Sequence, residues 1–117
     1  MCRVLVVEDE GLIRMTILDA LKDAGFEVIE AASADEAMDI LDMQKIHFLF
    51  TDIQMPGKLT GVDLAHAMAK RCPEAGIIVA SGRLAATDVD LPPQAEFHPK
   101  PYDLEIIVDR LKAMSNK

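Results

Sequence analysis

Basic residues are scarce in this chain. Twelve lysines and arginines stand against 20 aspartates and glutamates over 117 residues, a formal net charge of −8. That balance disfavours direct contact with a nucleic-acid backbone and points instead to a protein partner or a cation. No apolar run approaches the roughly 20 residues that a membrane-spanning helix needs, so no membrane association is expected. Only two cysteines are present, Cys2 and Cys72. They have no metal-ligand spacing and cannot form a disulfide framework, so a reduced, cytoplasmic setting is expected. The chain passes from Met1-Cys2-Arg3 straight into an apolar run, and no signal peptide is expected. Linkers, internal repeats and low-complexity tracts are lacking too. The length supports one domain with a real core but not two, and residues 1–117 read as a single domain.

What is there is an alternation of two periods. Residues 3–7 form a continuous β-branched and leucine run, the mark of a strand covered on both faces. From about Gly11 to Ala24 the period becomes helical, with Ile13, Ile17, Ala20, Leu21 and Ala24 on one stripe and Gly25 as the stop. Residues 26–30 give a second strand. Ser33 and Glu36 predict a capping box, with Ala37, Ile40 and Leu41 as the apolar face behind it. A third strand spans about 47–51. The next helix, about Gly61 to Arg71, turns Leu64, Ala65 and Met68 inward, and Ile77 to Ala80 form a fourth strand. A short segment ending at Phe97 precedes a last helix from about Tyr102 to Met114, with Ile106, Ile107 and Leu111 as its apolar face. Strand and helix alternating in this way predict a mostly parallel α/β sheet with helices on both sides. One helix breaks the rhythm. Pro92-Pro93 stop anything helical after Ser81 by about Asp90, so the fourth helix is expected to be short or irregular.

The chemistry sits where strands end. Glu8 and Asp9 follow the first strand, Asp52 closes the third, Ser81 closes the fourth, and Lys100 stands between two prolines after Phe97. Ligands of open parallel sheets gather outside the carboxyl ends of the strands. A hard divalent cation, Mg²⁺ or Mn²⁺, takes oxygen ligands, usually one or two carboxylates completed by water and phosphate. Asp9 and Asp52 are candidate direct ligands, Glu8 a holder of a ligating water, and the backbone carbonyl of Gln54 a further ligand. Beside such a cation Asp52 becomes a nucleophile toward phosphorus, while Lys100 and the Ser81 hydroxyl offset charge on phosphoryl oxygens. Taken singly, Asp9 and Asp52 also fit acids at helix N-termini, and Lys100 fits a surface cation.

Four motifs in order, Val6-Val7-Glu8-Asp9-Glu10, Thr51-Asp52-Ile53-Gln54-Met55-Pro56-Gly57, Ala80-Ser81-Gly82 and Phe97-His98-Pro99-Lys100-Pro101-Tyr102, resemble the receiver domain of two-component response regulators. The resemblance covers essentially the whole chain. It implies a (βα)5 flavodoxin-like, doubly wound five-stranded parallel sheet and phosphoryl transfer from a histidine kinase or histidine phosphotransfer protein to Asp52. It implies that such a chain catalyses its own phosphorylation and dephosphorylation rather than acting as a conventional enzyme. It also implies a switch made of Ser81 and Phe97, a cis Lys100-Pro101 bond, and an aspartyl-phosphate lifetime set by the side chains of Gln54 and Arg83. The segment Gly57-Lys58-Leu59-Thr60-Gly61 is longer than is usual in such domains, with Thr60 where an aspartate often precedes the glycine.

Leu12, Met15 and Leu18 lie opposite the predicted buried stripe of the first helix, a candidate docking face for the kinase or phosphotransfer helices. His98 borders the site and reads either as an acid-base group or as a loop histidine. Within the receiver reading the chain is expected to act as a single-domain regulator, as a phosphate sink or shuttle, or as a receiver excised from a DNA-binding regulator. Met1 argues against the C-terminal receiver of a hybrid kinase. A haloacid-dehalogenase-type phosphohydrolase is the competing class. It needs a second aspartate two residues after the nucleophile, and that position is Gln54. A serine hydrolase on Ser81 lacks the Gly-x-Ser-x-Gly elbow.

Overall fold

Alternate residues along each strand carry the core to both sides of one sheet. In the computed structural model, which describes residues 2–115, the strands are β1 (Arg3–Val7), β2 (Glu27–Ala31), β3 (Phe48–Asp52), β4 (Gly76–Ser81) and β5 (Ala95–Pro99). They form one parallel sheet in the order β2-β1-β3-β4-β5. Met1, on which the expectation about a leader rests, and Asn116 and Lys117 lie outside the described residues. The helices are α1 (Gly11–Asp23), α2 (Ala34–Met43), α3 (Gly61–Arg71) and α4 (Leu104–Ser115). Leu5, Val7, Leu49, Ile77 and Val79 pack against α2 and α3 through Ala37, Leu64, Ala65 and Met68. Their sequence neighbours Val4, Val6, Phe48, Phe50, Ile78 and Ala80 face the other way, onto Ile17, Leu18, Leu21, Ile107 and Leu111 of α1 and α4. This is the period-2 consequence of a strand buried on both faces.

The expected irregular helix after β4 is a single 3-10 turn, Ala86–Asp88, closed by the Ala85 N–H on Asp88 Oδ2 at 2.8 Å. Leu84, Val89 and Leu91 pin the segment onto the α3 side of the core, and His66 of α3 bonds the Asp90 carbonyl at 2.6 Å. Pro92-Pro93 allow nothing longer.

Several local expectations shift. β2 starts one residue late, which frees Phe26 to set its ring edge-on against Phe48, centroids 6.1 Å apart. At the start of α2 the Ser33 hydroxyl accepts the Glu36 N–H at 3.1 Å, the N-cap half of the expected box. The full reciprocal box forms instead at α3, between Thr60 and Asp63. Ile106 is exposed, so Ile107 and Leu111 carry the packing of α4. The largest correction is in α1. Leu18, expected on the outer face, is 7% exposed, whereas Ile13, expected inside, is 36% exposed. Arg14 is the physical reason. Its guanidinium donates to Glu30 Oε1 of β2 at 2.9 Å and to the Glu8 carbonyl at 2.7 Å, which rolls the helix toward β2. One turn further on, Leu18 is carried inward. The expected outer trio therefore reduces to Leu12 (75% exposed) and Met15 (58% exposed).

A candidate phosphoryl and cation site at the strand ends

Register brings the separated motifs together. Val7 lies beside Thr51, Thr51 beside Val79, Asp52 beside Ala80, and Ser81 beside Pro99. Parallel strands of similar length thus end at one edge, and the residues that close or follow them share it. Glu8 is held there by its N–H on the Ala31 carbonyl (3.1 Å), and Lys100 by its N–H on the Ser81 carbonyl (2.9 Å). The Lys100-Pro101 peptide is cis.

One carboxylate oxygen from each of Glu8, Asp9 and Asp52 lies within 4.8 Å of the others. Lys100 Nζ sits 3.2 Å from Asp52 Oδ2 and 3.6 Å from Glu8 Oε1. Three carboxylates therefore meet one ammonium group, an excess of two negative charges. Glu8 is only 4% exposed, and burial pushes its pKa above the ordinary carboxylate value. The Glu10 N–H on Glu8 Oε2 (3.0 Å) works against that rise, Asp9 adds to it, Lys100 opposes it, and Asp52 adds again. Partial burial works to lower the Lys100 pKa, but the hydrogen bond and charge of Asp52, with Glu8 behind it, hold it above the ordinary lysine value. Asp52 is oriented further by the Ile53 N–H, which donates to Oδ1 at 2.8 Å. Burial also raises the Tyr102 pKa. Its ring stacks edge-on over Phe50 at 5.6 Å and walls the lysine side of the site.

The cleft above Asp52 is lined by Gln54, Met55, Pro56, Gly82, Arg83 and Lys100, so both expected lifetime residues line it. The Ser81 hydroxyl is buried and accepts the N–H groups of Arg83 (3.2 Å) and Leu84 (3.0 Å). It therefore faces the irregular segment after β4. Phe97 is half-buried against the α2–α3 side of the core. His98 turns away from the carboxylates and pairs with Glu96 at 3.3 Å. Glu96 also takes the Arg110 guanidinium, which holds its carboxyl below the usual range, with His98 helping. Glu96 thus ties β5 to α4 through Arg110, and the histidine supports it from within β5.

The donor set fits a hard divalent cation. The three close groups are carboxylates, the preferred ligand type of Mg²⁺, and the charge excess matches its own. Glu8, Asp9 and Asp52 would hold it, and Gln54 lines the same cleft. Two residues escaped sequence reasoning. Gly61 lies so close to β3 that a Cβ there would run into the Asp52 carbonyl oxygen. Asp35, at the start of α2, accepts the N–H groups of Lys58 and Leu59 at 3.1 and 3.0 Å. Neither contact leaves a local sequence signal.

Among the described residues no helix is long and apolar enough to cross a membrane. A family model described as the response regulator receiver domain matches residues 4–112. The sensor kinase CckA of Brucella abortus is 34% identical over 97% of this chain, which spans only 12% of that protein's length. The response regulator receiver protein CpdR of the same organism is 30% identical, with 97% of each chain covered. The response regulator TrrA of Thermotoga maritima, solved in complex with Mg²⁺ and BeF, is similar with a TM-score of 0.79 and 26% identity, covering 97% of this chain and 99% of that one.

Proposed function

The chain belongs to the response regulator receiver family, and from that premise we propose that residues 1–117 act as one phosphoacceptor unit with Asp52 as the acceptor. The observation that carries the reading is the Lys100 ammonium at 3.2 Å from an Asp52 carboxylate already crowded by Glu8 and Asp9. In the transfer, an Asp52 oxygen attacks phosphorus, the N–P bond of a phosphohistidine on a kinase or phosphotransfer protein breaks, and the phosphoryl group ends as a mixed anhydride on Asp52. Asp9, Asp52 and the Gln54 carbonyl, with Glu8 behind, would hold Mg²⁺, which would neutralise charge at the phosphoryl oxygens. Lys100 bonds one of those oxygens from the β5 side and steadies the developing charge.

Phosphorylation adds roughly one to two negative charges at the sheet edge. Ser81 answers by releasing the Arg83 and Leu84 N–H groups and donating its hydroxyl to the phosphoryl group. Phe97 follows into the space beside it, repacking the surface around β5. The unit works in the cytoplasm through protein contacts, with Leu12 and Met15 at the rim of the phosphotransfer docking face.

The test is intact mass after incubation with a small-molecule phosphodonor, with Mg²⁺ or with a chelator, for wild type and Asp52→Asn. One phosphoryl adduct that requires both Mg²⁺ and Asp52 is expected. An adduct of equal size in Asp52→Asn, or one indifferent to the chelator, overturns the assignment.

A further inference from the structure

Between β3 and α3 the chain runs Gln54-Met55-Pro56-Gly57-Lys58-Leu59-Thr60, and its first three residues form one wall of the cleft. At one end Ile53 is fixed twice: its N–H donates to the Ala80 carbonyl (3.1 Å) and its carbonyl accepts the Gly61 N–H (2.9 Å). At the other end the Thr60 N–H donates to Asp63 Oδ2 at 2.9 Å. Met55 and Leu59 rest their side chains on the core, which fixes side chains but leaves the backbone between them to be held otherwise. The backbone is held from another element. Asp35 of α2 receives Lys58 N–H on Oδ2 at 3.1 Å and Leu59 N–H on Oδ1 at 3.0 Å. Gly57 completes the fit. Its φ of +118° suits glycine, and a Cβ there would stand 2.9 Å from Asp35 Oδ2, so the carboxylate approaches this closely only because no side chain is present.

Two consecutive N–H groups after a positive-φ residue make a concave anion cradle, here filled by a side chain of the same molecule. With the clamp, the stretch lacking backbone anchors is 54–57; without it, the stretch runs 54–59 as far as Thr60. That stretch begins at Gln54, whose carbonyl belongs to the cation site in the reading above.

We propose that Asp35 is a positioning residue for this site: by clamping Lys58 and Leu59 it holds the lengthened β3–α3 segment so that the Gln54 carbonyl stays beside Asp52. The inference rests on the receiver reading. Groups that orient a metal ligand rather than bind the metal typically change affinity by about 10- to 100-fold when removed, and a backbone clamp belongs at the lower end.

The experiment is a Mg²⁺ titration of the full chain followed by amide NMR, paired with phosphorylation rates measured across Mg²⁺ concentration. Asp35→Ala is expected to weaken Mg²⁺ binding by about tenfold and to speed hydrogen exchange at Lys58 and Leu59. It raises the Mg²⁺ concentration needed for half-maximal phosphorylation, while the rate at saturating Mg²⁺ changes little. Asp35→Asn keeps one acceptor oxygen on the same frame and falls between, which covers a failure of the alanine variant to fold. Glu36→Ala removes the neighbouring first-turn acid of α2 without touching the clamp, and is expected to bind Mg²⁺ as wild type does. Wild-type affinity in both Asp35 variants, or an equal loss in Glu36→Ala, overturns the positioning role alone. Wild type that takes up no Mg²⁺ overturns the receiver chemistry and this inference with it.

Discussion

Gly61→Ala and Gly11→Ala make one substitution at one helical position, the first residue of α3 and of α1, with opposite expected signs. Alanine is the better helix former by up to about 1 kcal/mol, less at a first turn, so propensity alone stabilises both variants. At Gly11 nothing opposes this, because the nearest atom to a new Cβ is Arg14 Nη2 at 3.9 Å, an ordinary van der Waals distance. At Gly61 the Cβ would lie 2.8 Å from the Asp52 carbonyl carbon and 2.9 Å from Ile53 Cα, and closer still to the Asp52 oxygen. Carbon atoms pack at about 3.5 Å or more, so those two contacts alone require a shift of roughly 0.6 to 0.7 Å, and the closer Asp52 oxygen a larger one, by a retreat of α3 or a bend of β3. The obstructing atoms are backbone and cannot rotate away. Overpacking costs about 1 to 3 kcal/mol, and this geometry belongs in its upper half. Set against propensity, a net loss of about 2 kcal/mol is expected, a fall in Tm of roughly 8 °C for a chain of this size. Circular dichroism melts of both variants, with and without saturating Mg²⁺, are the assay. Because the displaced atoms belong to Asp52 and Ile53, the Mg²⁺-induced rise in Tm should also shrink in Gly61→Ala and persist in Gly11→Ala. Gly61→Ala as stable as Gly11→Ala would refute the steric argument. A normal Mg²⁺ response in a destabilised Gly61→Ala would refute the link to the site.

Two further outcomes test the electrostatics and the cleft. Burial raises the Glu8 pKa, so between its ordinary and its raised value the folded chain binds more protons than the unfolded one, and stability falls as pH rises through that window. Glu8→Gln should therefore be more stable than wild type at pH 7 without metal, read as a higher Tm. The gap should close as pH falls below the ordinary carboxylate range; a gap that widens there contradicts the assignment. Mg²⁺ affinity of wild type should rise over the same pH window, since the ligand form of Glu8 is the charged one. Substituting Gln54 or Arg83, both lining the cleft, should change the decay of the phosphorylated chain, followed by mass, without abolishing its formation. Unchanged decay in both removes them from the hydrolytic path.

The sequence by itself determined the element order and which residues gather at the strand ends. Short, β-branched apolar runs such as Val4-Leu5-Val6-Val7 mark doubly covered strands, and such strands in parallel bring their carboxyl ends to one edge. Glu8, Asp9, Asp52, Ser81 and Lys100 were therefore legible as neighbours while up to 92 residues apart in number. The shortened fourth helix was legible as well, because Pro92-Pro93 impose it within a few bonds. The tertiary structure alone decided which way Leu18 and Ile13 face. Both lie on plausible stripes of α1, and the choice falls to Arg14 reaching Glu30 on a strand 16 residues away. It also decided that the Ser81 hydroxyl faces Arg83 and Leu84, that His98 belongs to Glu96 rather than to the cleft, and that Asp35 and Gly61 bear on Asp52 at all. Periodicity and capping are properties of adjacent residues. A clamp between α2 and residues 23 and 24 positions further on exists only once packing has brought the two backbones within hydrogen-bond reach.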